Sequence, residues 1–294
     1  TPLLASCGGE PEIQAADTAQ SYQAVLYYQD DDIPWGMDWL PDGSILVSFR
    51  SGVLKLIRDG RLVDRIKGLP KIAVGGQGGL LDVKVHPDYV KQPWIYFSYV
   101  REDKRGNKST AIMRAQLKGD TLVEQQDIYL AQAYGDTGRH FGSRLAFDRQ
   151  GYLYFSIGDR ANRDINPQDI SRDGGKIYRL HDDGRIPEDN PFVDNPKARA
   201  AIYSFGHRNP QGMAQHPQSG QIWIHEHGPR GGDEVNLIKA GQNYGWPLVS
   251  HGVNYSGTKF TELTEKEGME SPLWHWTPSI APSGMVFVTS DKYP

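Results

Sequence analysis

The sequence predicts an all-β protein, a β-propeller of four-stranded antiparallel blades, and three observations carry that prediction. Turn formers and aromatics are abundant: 33 glycines and 19 prolines make up about 18% of the 294 residues against a usual ~12%. The 15 tyrosines and 7 tryptophans favour strands. No stretch carries a long 3.6-residue apolar period, and one hairpin pattern recurs four times at intervals the size of a propeller blade.

The recurring unit is an apolar strand end, a polar turn and a β-branched or aromatic run. It reads Trp39–Ser48, then Val85–Asp88 continued by Pro93–Ser98, then Phe147–Ser156, then Gln215–Ile224. With Gly43, Pro93, Gly151 and Gly220 as markers the steps are 50, 58 and 69 residues, which suits blades separated by growing loops. A third strand follows in three of the units, at Val53–Ile57, Ala111–Ala115 and Lys176–Leu180. His86 and His216 hold the same place in a His-Pro turn of two units, which marks them as structural. A fifth unit opens at Ser283–Phe287, echoing Trp35–Trp39 and Gln211–Met213, and the chain is expected to break off within it at Pro294.

Composition and charge exclude several classes. With no apolar run near 18 residues there is no membrane-spanning helix. A net charge of −4 and a pI of about 6.1 leave no basic footprint for nucleic acid. A single cysteine excludes an intrachain disulfide and a cysteine-based zinc cage. That cysteine closes Leu4-Ala5-Ser6-Cys7, which resembles a bacterial lipobox. Residues 1–19 therefore read as a signal remnant and flexible tether with a lipid anchor at Cys7. Residues 20–294 read as one propeller domain, incomplete at its C-terminus, and the address expected is the periplasm.

In a propeller the loops that enter each innermost strand gather at one end of the axis. Counting back from the equivalent positions Val85, Phe147 and Gln215 reaches Gln77, His140 and Arg208 at offsets of 8, 7 and 7 residues. With Asn209 they form a polar mouth suited to an anionic ligand and a proton transfer. His140 reads equally as a hydrogen-bonded structural histidine until its place beside Arg208 is counted. His225-Glu226-His227 places two imidazoles on one strand face without a third zinc ligand at recognisable spacing. The glycines of Gly75-Gly76-Gln77-Gly78-Gly79 precede a strand and not a helix, so no nucleotide loop is indicated. The loop from Glu226 to Asn236, with Gly228, Pro229, Asp233 and Glu234, offers carbonyl and carboxylate oxygens that suit calcium, or an acidic glycine turn without metal.

These motifs together carry a resemblance to a known family. They are GGQGGL at 75–80, HFGSRL at 140–145, SIGD at 156–159, GHRNPQG at 206–212, and EHGP at 226–229 through Asp233-Glu234 to NYGWP at 243–247. The chain resembles the soluble aldose sugar dehydrogenases, pyrroloquinoline quinone (PQQ) enzymes of the glucose/sorbosone dehydrogenase family. The resemblance implies a six-bladed propeller that binds PQQ and Ca²⁺ and oxidises aldoses at C1 to lactones, passing electrons to an external acceptor. His140 matches the general base that takes the C1 hydroxyl proton while hydride passes to the quinone. Arg208 and Asn209 match residues that hold the quinone oxygens, Gln77 a residue lining the pocket, and Tyr255 a cofactor contact. The carbonyls of Gly228 and Pro229 match ligands of the Ca²⁺ that polarises the quinone; Glu234 and Tyr244 match positions of a second, structural Ca²⁺. Arg139 departs from the better-known glucose dehydrogenases, which carry an acid before the histidine, and so bears on substrate positioning. The family continues beyond the fifth blade, with further basic residues for the PQQ carboxylates. The assembly is a monomer or a homodimer.

Two other readings stand beside this one. A Ca²⁺-dependent lactonase-type propeller shares the acidic mouth, but it calls for carboxylates and asparagines from several blades around one ion. A surface-anchored, non-enzymatic binding propeller keeps the fold but has no use for a base at His140.

Overall fold

The computed structural model describes residues 23–291, which contain sixteen strands and no helix. The strands group into four antiparallel sheets of four, each ordered as the chain runs. Blade one is β1 (Pro34–Trp39), β2 (Ile45–Phe49), β3 (Val53–Arg58) and β4 (Arg61–Ile66). Blade two is β5 (Leu80–Val85), β6 (Trp94–Glu102), β7 (Lys108–Lys118) and β8 (Thr121–Leu130). Blade three is β9 (Leu145–Phe147), β10 (Leu153–Ile157), β11 (Lys176–Leu180) and β12 (Ile202–Phe205). Blade four is β13 (Pro210–Gln215), β14 (Ile222–Glu226), β15 (Asp233–Leu237) and β16 (Trp274–Trp276).

All four repeated segments fall on the hairpin between the first and second strands of a blade. Their turns are built as the residue types demand. Gly43, Gly151 and Gly220 take positive φ angles of 82°, 85° and 74°, which cost glycine little. The Asp148 carboxylate accepts from the N–H groups of Gln150 and Tyr152, both at 2.9 Å. The His-Pro turns use their imidazoles in the same way, His86 Nδ1 accepting from Asp88 N–H at 3.0 Å and His216 Nδ1 from Ser219 N–H at 3.1 Å.

The core lies between blades rather than within them. Leu46 and Leu54 of blade one pack with Val83, Phe97 and Met113 of blade two. Tyr96 and Ile112 meet Leu145, Phe155 and Tyr178 across the next joint, and Tyr154 and Ile177 meet Met213 and Ile224 across the third. Each large side chain so buried contributes roughly 1.5–3 kcal/mol. β1 packs on β5, β5 on β9 and β9 on β13, so the first strands line the inner side and their entry loops share one end.

Two expectations are corrected. The described residues form four blades, not six. The segment expected to open a fifth unit, Ser283–Phe287, forms no strand; Phe287 instead packs edge-on against the rings of His216 and Trp223 in blade four. Cys7, the lipobox and the tether lie outside the described residues.

Candidate active site

Three entry loops meet at the end of the inner strands. The glycine run before β5 lies against the loop before β9: Gln77 N–H donates to Gly138 C=O at 2.7 Å, and the Gln77 side-chain oxygen accepts from His140 N–H at 2.7 Å. Gly76 permits this approach, because a Cβ there would lie 2.3 Å from the Gly138 oxygen.

His140 is the chemical centre of the mouth. Its Nδ1 is 2.7 Å from Asp159 Oδ1, and its side chain is 12% exposed while that of Asp159 is 1% exposed. A carboxylate can only accept, so Nδ1 carries the proton and Nε2 keeps its lone pair. Asp159 is itself fixed: Oδ1 also accepts from Ala161 N–H at 2.7 Å and Oδ2 from the Trp246 indole N–H at 2.8 Å. Its backbone N–H donates to Arg208 C=O at 2.7 Å, which ties the loop after β10 to the β13 entry loop. Burial lowers the His140 pKa below its usual 6.5, Asp159 opposes that shift, and the nearby Arg208 and Arg139 reinforce it. The imidazole is therefore neutral at neutral pH.

Arg208 stands on a buried brace. Glu226 Oε2 accepts from Arg208 N–H at 2.6 Å, and Glu226 Oε1 lies 2.8 Å from Nδ1 of the fully buried His207. The guanidinium donates to His227 C=O at 2.9 Å and reaches Tyr255 Oη at 3.4 Å. Asn209 is buried; its oxygen accepts from Gly142 N–H at 3.1 Å and from Gln211 Nε2 at 3.3 Å. A cavity of about 280 Å³ opens beside these groups, lined by Trp35, Arg50, Gln77, Phe141, Asn209, Gln211 and His227 among others. Sequence reasoning missed Asp159, Glu226, Gln211 and Arg50. Asp159 stands in the quoted SIGD motif, and that motif was the one signal available for it.

The glycine-rich loop of blade four offers oxygen donors of two kinds. Gly228 and Pro229 are buried, and no hydrogen bond reaches either carbonyl from the described residues. A buried carbonyl without a partner is costly, and two adjacent ones are suitable hard ligands for a cation. Gly228 N–H is occupied by Asp233 Oδ1 at 2.8 Å, and a Cβ at Gly228 would lie 2.2 Å from Gly231 O. Glu234 sits on β15 opposite Glu226 of β14, and Asn236 Nδ2 contacts both, at 3.2 and 3.4 Å. Burial, with the Glu226 charge as second cause, pushes the Glu234 pKa up to about 8. The Tyr244 hydroxyl is committed to its own loop, donating to Leu237 C=O at 2.5 Å and accepting from Lys239 N–H at 2.9 Å. Only its backbone is left to serve as a ligand. No group of three or more His, Cys, Asp or Glu side chains is placed to hold a metal among the described residues. His227 is spent on Pro282 C=O at 2.6 Å, and His225 points at Gly212, so the two imidazoles do not form a zinc pair.

The structure thus brings Gln77, His140, Arg208, Asn209 and Tyr255 into one hydrogen-bonded mouth, with the Gly228-Pro229 loop adjoining through Arg208 and His227. The Glucose / Sorbosone dehydrogenase family profile matches residues 31–294. The aldose sugar dehydrogenase YliI of Escherichia coli is 42% identical over 269 residues, covering 90% of this chain and 72% of that protein. The crystal structure of the soluble aldose sugar dehydrogenase of Escherichia coli in its apo-form superposes with a TM-score of 0.86 at 41% identity, over 90% of this chain and 77% of the other. The PQQ-bound form of the aldose sugar dehydrogenase of Streptomyces coelicolor superposes with a TM-score of 0.72 at 29% identity, over 88% and 73%. On these matches the chain belongs to the glucose/sorbosone dehydrogenase family.

Proposed function

We propose that the protein oxidises aldose sugars at C1 to lactones with PQQ and Ca²⁺, His140 acting as the general base. The observation that carries this reading is the His140–Asp159 pair, which leaves a neutral imidazole with a free Nε2 beside the Arg208 guanidinium. PQQ, when bound, supplies the two-electron oxidant that accepts the C1 hydride, and Ca²⁺ the Lewis acidity that polarises it.

The residues present fit both groups. Arg208, Asn209 and Tyr255 offer a cation and neutral donors to the oxygens of an anionic quinone, and Gln77 lines the pocket while holding the His140 backbone. The buried carbonyls of Gly228 and Pro229, which accept no hydrogen bond from the described residues, would hold the Ca²⁺ at the quinone. Glu234 and the backbone of Tyr244 would hold a second one. The sugar loses the O–H proton to His140 and the C1 hydrogen as hydride, and the C1–O bond becomes a carbonyl. An external acceptor would take up the two electrons. In the same reading the protein is periplasmic, anchored by lipid on Cys7, and acts as a monomer or homodimer.

A dye-linked assay with an aldose panel tests the reading. Activity should require both PQQ and Ca²⁺ and fall by about 10²–10⁴-fold in His140→Ala, with PQQ binding measured separately by calorimetry. Undiminished turnover in that variant removes the base. No turnover despite PQQ saturation points to a binding propeller or a lactonase instead.

A further inference from the structure

The hydrogen bonds of Asp159 extend beyond His140 to a residue with no role in the reading above. Trp246 belongs to the loop after β15, 87 residues along the chain, yet its indole N–H meets Asp159 Oδ2 at 2.8 Å. The ring is held on several sides. Its backbone N–H donates to Gly206 C=O at 2.9 Å, and its carbonyl accepts from Gln168 Nε2 at 2.8 Å. Phe260 packs edge-on at 5.3 Å, and the Arg208 guanidinium lies 5.4 Å from the ring centre, within cation–π range. Oδ2 is buried, and Trp246 is its one hydrogen-bond donor among the described residues.

We propose that Trp246 is a positioning residue for proton transfer at His140. Its N–H pins Oδ2 of Asp159, so that Oδ1 stays on the Nδ1–H of His140 and Nε2 remains the unprotonated nitrogen. The role rests on His140 being the base. Without the indole N–H a buried carboxylate oxygen loses its partner, and the carboxylate turns to find another. Turning moves Oδ1 off Nδ1 and frees the imidazole to change tautomer. The charged groups around His140 are Asp159, Arg208 and Arg139, and Arg160 adjoins Asp159. Trp246→Phe leaves all of these charges in place and removes one N–H.

The test is ¹⁵N-histidine NMR on the full chain, His140 being assigned by its loss in His140→Ala. The parent should show one tautomer, with Nδ1 protonated and Nε2 bare. Trp246→Phe should show a mixture, and with PQQ and Ca²⁺ its kcat should fall roughly 10-fold with KM little changed. An unchanged single tautomer in Trp246→Phe overturns the proposal. A second reading needs no variant: the Trp246 indole N–H resonance should move at the pH at which His140 titrates, and a flat resonance also overturns it. Full activity in His140→Ala would remove the base while leaving the tautomer result to stand or fall by itself.

Discussion

His140 has a positive backbone φ of 56°, which a histidine adopts only under constraint, and the constraint comes from both sides. Gln77 holds its N–H and Asp159 its ring. Because burial lowers its pKa below 6.5, the base form persists below that pH. The acid limb of kcat/KM is therefore predicted to lie below pH 6.5, with activity lost as pH falls through the folded-state pKa. Asp159 is the group that raises this pKa, so Asp159→Asn should move the limb to lower pH while lowering kcat. A pH–rate profile of the two proteins checks both, and a limb above pH 6.5 contradicts the assignment. His140 and Arg208 were legible in the sequence because each precedes an inner strand by a fixed count. Asp159, Glu226 and Trp246 were not, because their partners are 18 to 87 residues away and no period relates them.

The blades are joined by a repeated device at one position of each second strand. Ser48 donates to Leu81 C=O, Ser98 to Ser143 C=O at 2.6 Å and Ser156 to Pro210 C=O at 3.1 Å, each reaching the next blade or its entry loop. Ser98 also accepts from Asp82 N–H at 2.8 Å, so Ser98→Ala should cost about 1–3 kcal/mol in chemical denaturation; a loss near zero would show the hydroxyl to be dispensable. In blade four the equivalent residue is His225, whose two ring nitrogens are buried without hydrogen-bond partners among the described residues. The backbone of Ser283 and Gly284 faces that ring, and burial lowers its pKa from 6.5 to about 4. With the folded pKa depressed, the unfolded chain binds more protons between pH 6.5 and 4, so stability falls with pH across that window by about 3 kcal/mol. His225→Ser, which restores the serine of the other blades, should flatten that part of a melting-temperature profile; an unchanged slope would place the acid sensitivity elsewhere. The first hairpin of every blade and the third strands of blades one to three were legible because apolar runs alternate with turn residues. The outer strands β4, β8, β12 and β16 and the third strand of blade four, β15, were not; long loops precede β12 and β16, and β16 is largely exposed.

At the scale of the molecule, the propeller was legible from the repeat alone, whereas the count of six came with the resemblance and the described residues supply four. The segment from Glu226 to Trp246, which includes β15, connects the mouth to blade four and crowds acceptor oxygens together. The buried Glu226 and the part-buried Glu234 face each other across β14 and β15, and the carbonyls of Gly228 and Pro229 are buried without hydrogen bonds from the described residues. Ca²⁺ bound at the two proposed sites would offset these costs in the folded state and not in the unfolded one. Ca²⁺ should therefore raise the melting temperature, by an amount equivalent to about 2.7 kcal/mol at a hundredfold excess over Kd, and a chelator should reverse it. Mg²⁺ should act more weakly, since it demands octahedral geometry and gives up its water reluctantly. Glu234→Gln should reduce the Ca²⁺ shift without abolishing it, because the Gly228 and Pro229 carbonyls remain. Scanning calorimetry of both proteins with each ion and with chelator makes the comparison. Equal shifts from Ca²⁺ and Mg²⁺, or none from either, would show that the loop carries its buried oxygens without a cation.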